Sequence, residues 1–333
     1  MNKFGILDLC CGMGGLSYSA RKAGLSIWAG VDTSQDALNS YKHNFPKAKG
    51  ICGSIASGKV IAQYTRFIES KQTRSQGLIV ISGPPCQGFS VAGPRCADDP
   101  RNKILTSVAN TIVRLKSSGA LVENVPALQK EEYSKVVNRF YKILNSAGYH
   151  VYDFELNALK FGVPQRRRRM LFFVLPFKLQ KHVIQKEIEA HYKSAKTVKE
   201  ILSNLPTPLV RPINYVDQKD NGNFSNHYAM RHSKAVRRKI AAIKPGSGPL
   251  SYRKLDPHSH AATLLSGHRA PPAHYSQARS ITVREALRLQ GFPDEFRVMG
   301  AFYTQMGQVT NAVPAQLGTA ALKVMRKLLG DNL

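Results

Sequence analysis

Short apolar runs alternate with amphipathic stretches through the first half of the chain. Residues 4–9, Phe-Gly-Ile-Leu-Asp-Leu, have the length and character of a strand, and residues 16–23 read as a helix that ends at Gly24. The pattern repeats with a strand at 26–31, a helix at about 34–43 and a short strand ending near Cys52-Gly53-Ser54-Ile55. Leu78-Ile79-Val80-Ile81 is continuously apolar and β-branched, as expected of a strand buried on both faces. A helix at about 102–116, a strand at 120–122, a helix at about 131–147 and an apolar strand at 170–174 follow. Alternation of this kind predicts an α/β fold with a parallel, doubly wound sheet.

After Pro176 the pattern degrades. Pro206, Pro208, Pro212, Pro245, Pro249, Pro257, Pro271 and Pro272 break the chain into short pieces, and helical periodicity returns only at 282–290 and near the C-terminus. The expected organisation is a first domain of residues 1–175 plus 276–333 and a second, smaller, irregular domain of residues 176–275.

Charge narrows the class of partner. Lys and Arg number 48 against 21 Asp and Glu, a formal charge of +27 over 333 residues. A surplus that large repels itself unless a polyanion is usually near, so nucleic acid is the first expectation and an anionic membrane surface the competing one. No long apolar span, lipidation signal or signal peptide is visible, which predicts a soluble, cytoplasmic protein without membrane attachment. The five cysteines include no C-x-x-C pair, so neither a disulfide framework nor a Cys-rich zinc site is expected. His258, His260, His268 and His274 have no metal-binding spacing, and no metal is expected.

Four stretches carry candidate chemistry. Gly12, Gly14 and Gly15 follow the first strand and open a helix, where a backbone can approach a nucleoside closely. Asp32, at the end of the second strand, is placed to accept ribose hydroxyls. The run Gly53-Ser54-Ile55-Ala56-Ser57-Gly58-Lys59-Val60 nearly fits a phosphate loop, but Val60 replaces the magnesium-binding Ser or Thr, so the nucleotide stays open. Gly83-Pro84-Pro85-Cys86-Gln87-Gly88-Phe89-Ser90 puts a cysteine just past the end of a buried strand, where open α/β sheets bind ligands. A lone buried Cys is usually structural. Flanking Pro-Pro and Gln-Gly suit a core poorly, and a nucleophile is the better reading. In Gln165-Arg166-Arg167-Arg168-Arg169, strand alternation puts 165, 167 and 169 on one side and 166 and 168 on the other. The polar residues 91–103 read as a mobile loop after the nucleophile.

The octet Gly83 to Ser90 resembles the nucleophile motif of the cytosine-5 DNA methyltransferases, bacterial restriction-modification type. Other stretches resemble that family in order. Asp8-Leu-Cys-Cys-Gly-Met-Gly-Gly15 is similar to its S-adenosylmethionine turn, Glu123-Asn-Val to its acid motif, and Gln165-x-Arg167-x-Arg169 to its basic motif. Residues 279–294 and Asn311-Ala-Val-Pro314 are similar to its last two motifs. The resemblance implies a Rossmann-like methyltransferase sheet with a target-recognition domain. It implies transfer of a methyl group from S-adenosylmethionine, leaving S-adenosylhomocysteine, to carbon 5 of a flipped-out cytosine in duplex DNA. Cys86 would be the nucleophile and Glu123 the acid, with Arg167 and Arg169 at the target base. Asp8, Cys10, Gly12, Gly14, Gly15, Asp32, Ser54, Ile55, Pro84 and Asn311 would hold the cofactor, and Gln87, Ser90, Arg101 and Gln165 the DNA. A monomer that protects host DNA beside a separate restriction endonuclease is the implied setting. Cys10 stands where the family often has Phe, Ser54 where an Asp is common, and Gln308-Val309-Thr310 read as an insertion; all three bear on cofactor affinity. A transfer-RNA methyltransferase of the same fold, a non-catalytic DNA-binding relative and a nicotinamide dehydrogenase are the rivals. The octet fits the DNA enzymes better than the first, Cys86 and Glu123 argue against the second, and the third has no use for Gly-Pro-Pro-Cys.

Overall fold

Phe4–Leu9 (β1) is buried along its whole length, and its side chains divide between two cores, Ile6 facing one and Leu7 and Leu9 the other. Gly77–Ser82 (β4) divides the same way, Ile79 and Ile81 against Leu78 and Val80, as a strand covered by helices on both faces must. The computed structural model describes residues 3–72, 76–85, 102–210, 224–249, 252–265 and 271–332. Among these, β1, Ser26–Asp32 (β2), Lys49–Cys52 (β3), β4, Gly119–Asn124 (β5), His150–Asn157 (β6) and Arg168–Leu175 (β8) form one seven-stranded sheet. Its order is β3-β2-β1-β4-β5-β8-β6, and Gln165–Arg166 (β7) pairs elsewhere.

Helices Gly15–Lys22 (α1), Lys181–Glu189 (α6) and Ala315–Asn332 (α11) cover one face, burying Leu16 and Ala20, Ile184 and Ile188, and Leu317 and Met325. Gly58–Lys71 (α3), Asn102–Arg114 (α4) and Ser134–Ser146 (α5) cover the other with Val60, Tyr64, Val108, Ile112, Phe140 and Leu144. The doubly wound α/β architecture is therefore present, with one correction: the sheet is mixed. β8 runs antiparallel between β5 and β6. Residues 158–167 between β6 and β8 are too few for the helical crossover that a parallel return needs, so the chain doubles back. Two elements had escaped the sequence reading. The glycine- and serine-rich run before α3 masked its apolar spacing at Val60, Tyr64 and Ile68, and β6 is a half-buried edge strand whose apolar residues are interrupted by polar ones instead of forming an unbroken run.

A third core lies beyond the carboxyl ends of the strands. Gln35–Asn44 (α2) contributes Leu38 and Tyr41; Val198–Leu202 (α7), Val283–Leu289 (α9) and Phe302–Asn311 (α10) contribute Val198, Leu202, Leu287, Phe302 and Val309. The remaining pieces are short: Leu209–Val210 (β9), Tyr228–Ala229 (β10), Lys234–Ala242 (α8) and Ala261–Ala262 (β11). Buried polar groups brace this irregular part. Arg284, fully buried, donates to the carbonyls of Ser225, Pro293 and Phe296, and Arg279 forms a two-pronged pair with Glu285. Thr282 and Glu285 cap α9 reciprocally. Among the described residues, no helix is long and apolar enough to cross a membrane.

Candidate active site

β1 lies between β2 and β4, and the helices that follow β1 and β4, α1 and α4, lie on opposite faces of the sheet, so a crevice opens at the carboxyl ends of these strands. There a cavity of about 650 Å³ runs from Asp8, Asp32 and Ser54 at one end to Pro84, Glu123 and Arg169 at the other.

The first end is built by the turn between β1 and α1. Gly12 and Gly14 both have left-handed backbone, φ 53° and 93°, which glycine adopts without strain. Cys10 shares this conformation at φ 58° and pays a steric cost that glycine does not. Asp32 holds the turn: its carboxylate accepts from Gly12 N at 2.8 Å and from Ser34 N at 2.9 Å. Asp8 is buried with one oxygen accepting from the Ser17 hydroxyl at 2.7 Å and the other without a partner. Burial pushes its carboxyl up to about 7, against the pull of that Ser17 bond. Burial also raises the Cys10 thiol, which keeps it protonated and unreactive. Ser54 and Ile55 line the cavity, Ser54 also accepting from Ala56 N at 3.2 Å. Asn311 closes this end from the last residue of α10; Gln308, Val309 and Thr310 are helical, continuing α10 rather than forming a loop.

The second end depends on the reversed strand. Because β8 is antiparallel to β5, its N-terminal basic residues lie beside the carboxyl end of β5, Glu123 opposite Leu171 and Asn124 opposite Met170. Arg169 Nε meets Glu123 Oε1 at 2.6 Å with both side chains about nine-tenths buried. Burial raises the Glu123 carboxyl; Arg169 and then Arg167 oppose it without cancelling it. A side chain on Gly83 would meet Glu123 Oε2 at 3.4 Å, so this carboxyl borders the run leading to the cysteine. Asn124 Nδ2 reaches Pro84 O at 3.5 Å, a further tie between the two strand ends. Cys86, Gln87, Ser90 and Arg101, and the loop expected after the nucleophile up to Arg101, lie outside the described residues.

The basic run shows the expected alternation: Gln165 and Arg167 are buried, Arg166 and Arg168 exposed. The DNA contact expected of Gln165 does not fit this arrangement. Its amide is wholly buried, accepting from Leu264 N at 3.0 Å and donating to Leu289 O at 3.2 Å. Arg167 points the same way and donates to the carbonyls of Leu264, Thr310 and Ala312. Exposed Arg168 pairs with Glu155. Thr263 and Leu264 line the cavity although sequence reasoning had not singled them out. Nothing local marks them; parallel pairing of β11 with β7 carries them there.

Residues 4–327 match the family model for C-5 cytosine-specific DNA methylase. Among curated relatives, Type II methyltransferase M1.HphI of Haemophilus parahaemolyticus is 28% identical over 97% of this chain and 86% of its own. Type II methyltransferase M.XorII of Xanthomonas oryzae pv. oryzae is 29% identical over 96% and 85%. Among solved structures, a DNA modification methyltransferase encoded within an E. coli prophage superposes with a TM-score of 0.81 at 26% identity, covering 98% of this chain and 99% of that one. S. pombe Dnmt2 methyltransferase, TM-score 0.67 at 17% identity over 98% and 99%, shares the fold.

Proposed function

Because this chain belongs to the C-5 cytosine-specific DNA methylase family and is a DNA cytosine-5 methyltransferase of the type II restriction-modification kind, we propose how its cleft performs the reaction. The observation that carries the proposal is the single cavity joining Asp8 and Asp32 to Glu123 and Arg169. A nucleoside cofactor and a base therefore fit end to end.

S-adenosylmethionine fits the first end on this chain's own chemistry. Asp32 would accept the ribose hydroxyls, and the unpartnered, buried oxygen of Asp8 suits the ammonium of the amino-acid arm. Gly12 and Gly15 border the cavity and allow close approach, while Gly14, packed against Phe45 and Tyr41, shapes the turn from behind; Cys10, Ser54 and Ile55 would border the adenine, Asn311 would close this end, and Pro84 lies toward the Glu123 end. Bound there, the cofactor supplies an electrophilic methyl group on a sulfonium.

Carbon 5 of cytosine is not nucleophilic while the ring is aromatic. The Cys86 thiolate would add to carbon 6 and push electron density onto carbon 5, making that carbon the nucleophile toward which the bound cofactor would present its methyl group. Glu123, whose carboxyl burial raises, would donate to ring nitrogen 3 as charge develops there, and Arg169 would orient it. A solvent water would then take the proton from carbon 5 as the carbon 6–sulfur bond breaks, releasing the Cys86 thiolate, and the proton on ring nitrogen 3 would return to Glu123, restoring the ring. These atoms cannot be reached inside a duplex, so the cytosine is swung out into the cleft. Residues 176–275 would supply the part that reads sequence, with α6 packed on the catalytic core. The protein would act as a monomer, protecting host DNA from a separate endonuclease.

Two measurements test this. Methylating a random duplex library and mapping the products by bisulfite sequencing should show one recurrent sequence around the modified cytosine. Duplex carrying that sequence with 5-fluorocytosine at the target should form a covalent adduct that survives a denaturing gel, since fluorine cannot leave as a proton does. Cys86→Ala should form none while still binding DNA. Adduct formation by the variant would remove Cys86 from the mechanism.

A further inference from the structure

Only 1% of Arg167 is exposed, and its guanidinium ties together two segments that are distant in sequence. Nη1 donates to Leu264 O at 3.1 Å; Nη2 donates to Thr310 O at 2.6 Å and Ala312 O at 3.2 Å. On the Leu264 side the wall is docked along its length. Ala261 and Ala262 pair with Gln165 and Arg166, the Thr263 hydroxyl donates to Arg166 O at 2.7 Å, and Leu264 N donates to Gln165 Oε1. Beyond it Leu265, half exposed, faces the cavity. On the other side the two carbonyls bracket Asn311, and Ala312 lies against the glycine turn: a side chain on Gly15 would meet its Cβ at 3.1 Å. One planar fork thus joins the wall near Glu123 to the turn that closes the nucleoside end.

Resting on the reading of the protein as an S-adenosylmethionine-dependent enzyme acting on duplex DNA, we infer that Arg167 is a positioning residue that couples the two ends of the cleft. Cofactor seated against residues 310–313 fixes, through the guanidinium, the 263–265 wall on which DNA closes. The two ligands therefore tighten each other's binding, by the same factor in either direction. This differs from the base contact that resemblance alone implies for Arg167, because both of its Nη atoms donate to protein carbonyls. The geometry also specifies the residue type. A lysine keeps the charge but lacks the rigid fork that spans separated carbonyls.

The test is the coupling factor: the dissociation constant of S-adenosylhomocysteine without DNA divided by that with saturating duplex bearing the mapped target. The wild type should show a factor of roughly 5–150. Arg167→Lys and Arg167→Ala should bring it to about 1 while each ligand still binds alone. Wild-type coupling retained in Arg167→Lys overturns the inference, as does a variant that weakens both ligands but leaves the ratio unchanged. A variant that fails to fold does not decide the matter, because hydrogen exchange on the wild type supplies a second measurement. S-adenosylhomocysteine should slow exchange at residues 261–265, and unchanged exchange there overturns the inference. A wild-type enzyme that methylates DNA without coupling sinks this inference alone. One that binds S-adenosylhomocysteine but transfers no methyl group to DNA sinks the functional reading with it.

Discussion

Asp8 shows how a single carboxyl can be tuned by where a strand ends. Its chain position buries it, and the Ser17 hydroxyl supplies a bond to only one of its two oxygens. With the folded value near 7 against an ordinary 3.8, the native state holds this proton more tightly than the unfolded chain does. The resulting stability is fully present below pH 4 and is lost as pH rises through about 7. Denaturant unfolding without cofactor should show this decline, amounting to a few kcal/mol at most by order of magnitude, and Asp8→Asn should flatten it. An ammonium beside Asp8 favours the charged form. Binding of S-adenosylhomocysteine at pH 7 should therefore release about half a proton in the wild type and none in Asp8→Asn, read by calorimetry in buffers of different ionisation enthalpy. Release unchanged in the variant would remove Asp8 from the cofactor site. Glu123 follows the same logic: burial raises its carboxyl even though Arg169 at 2.6 Å supplies a positive partner that Asp8 lacks.

Among the elements, the meeting of α1 with the turn between α10 and α11 controls the nucleoside end. Gly15, the first residue of α1, faces Ala312 Cβ, Val313 O and the Phe292 ring, with ideal Cβ distances of 3.1, 3.4 and 3.5 Å. None of these atoms is the free end of a flexible chain. Gly15→Val should therefore push the 311–313 turn outward, costing about 1–3 kcal/mol of stability. Cofactor affinity should fall at least tenfold, measured by calorimetry, while Gly58→Ala, a helical glycine with open space, should leave it unchanged. Unaltered affinity in Gly15→Val would show that the turn adapts. β8 matters for a different reason. Its reversal is what delivers Arg169 to Glu123; in a parallel strand the same residues would lie beside the amino end of β5.

At the scale of the whole molecule, the charge of +27 is far more than the buried pairs use. Arg167, Arg169, Arg279 and Arg284 are committed to buried protein partners, while the Lys and Arg side chains of α8 face outward. Affinity for duplex DNA should accordingly depend on counterion release. A footprint of 6–10 phosphates predicts a loss of roughly 10³–10⁵ in affinity between 50 and 200 mM salt. A flat response in a filter-binding or anisotropy titration would mean that this charge serves another purpose.

Much of this was legible without coordinates because its determinants are local. A buried strand announces itself by an unbroken apolar run, as at 78–81, and a left-handed turn by glycines, as at Gly12 and Gly14. Side-chain alternation in an extended chain likewise told Gln165 and Arg167 from Arg166 and Arg168. What those inward-facing side chains touch was not local. The length of the link between β6 and β8 reversed a strand, and the pairing of β11 with β7 brought Leu264, nearly a hundred residues away, onto Gln165 and Arg167. Periodicity reports which way a side chain points; its partner is settled by the packing of distant segments, and only the folded chain brings those together.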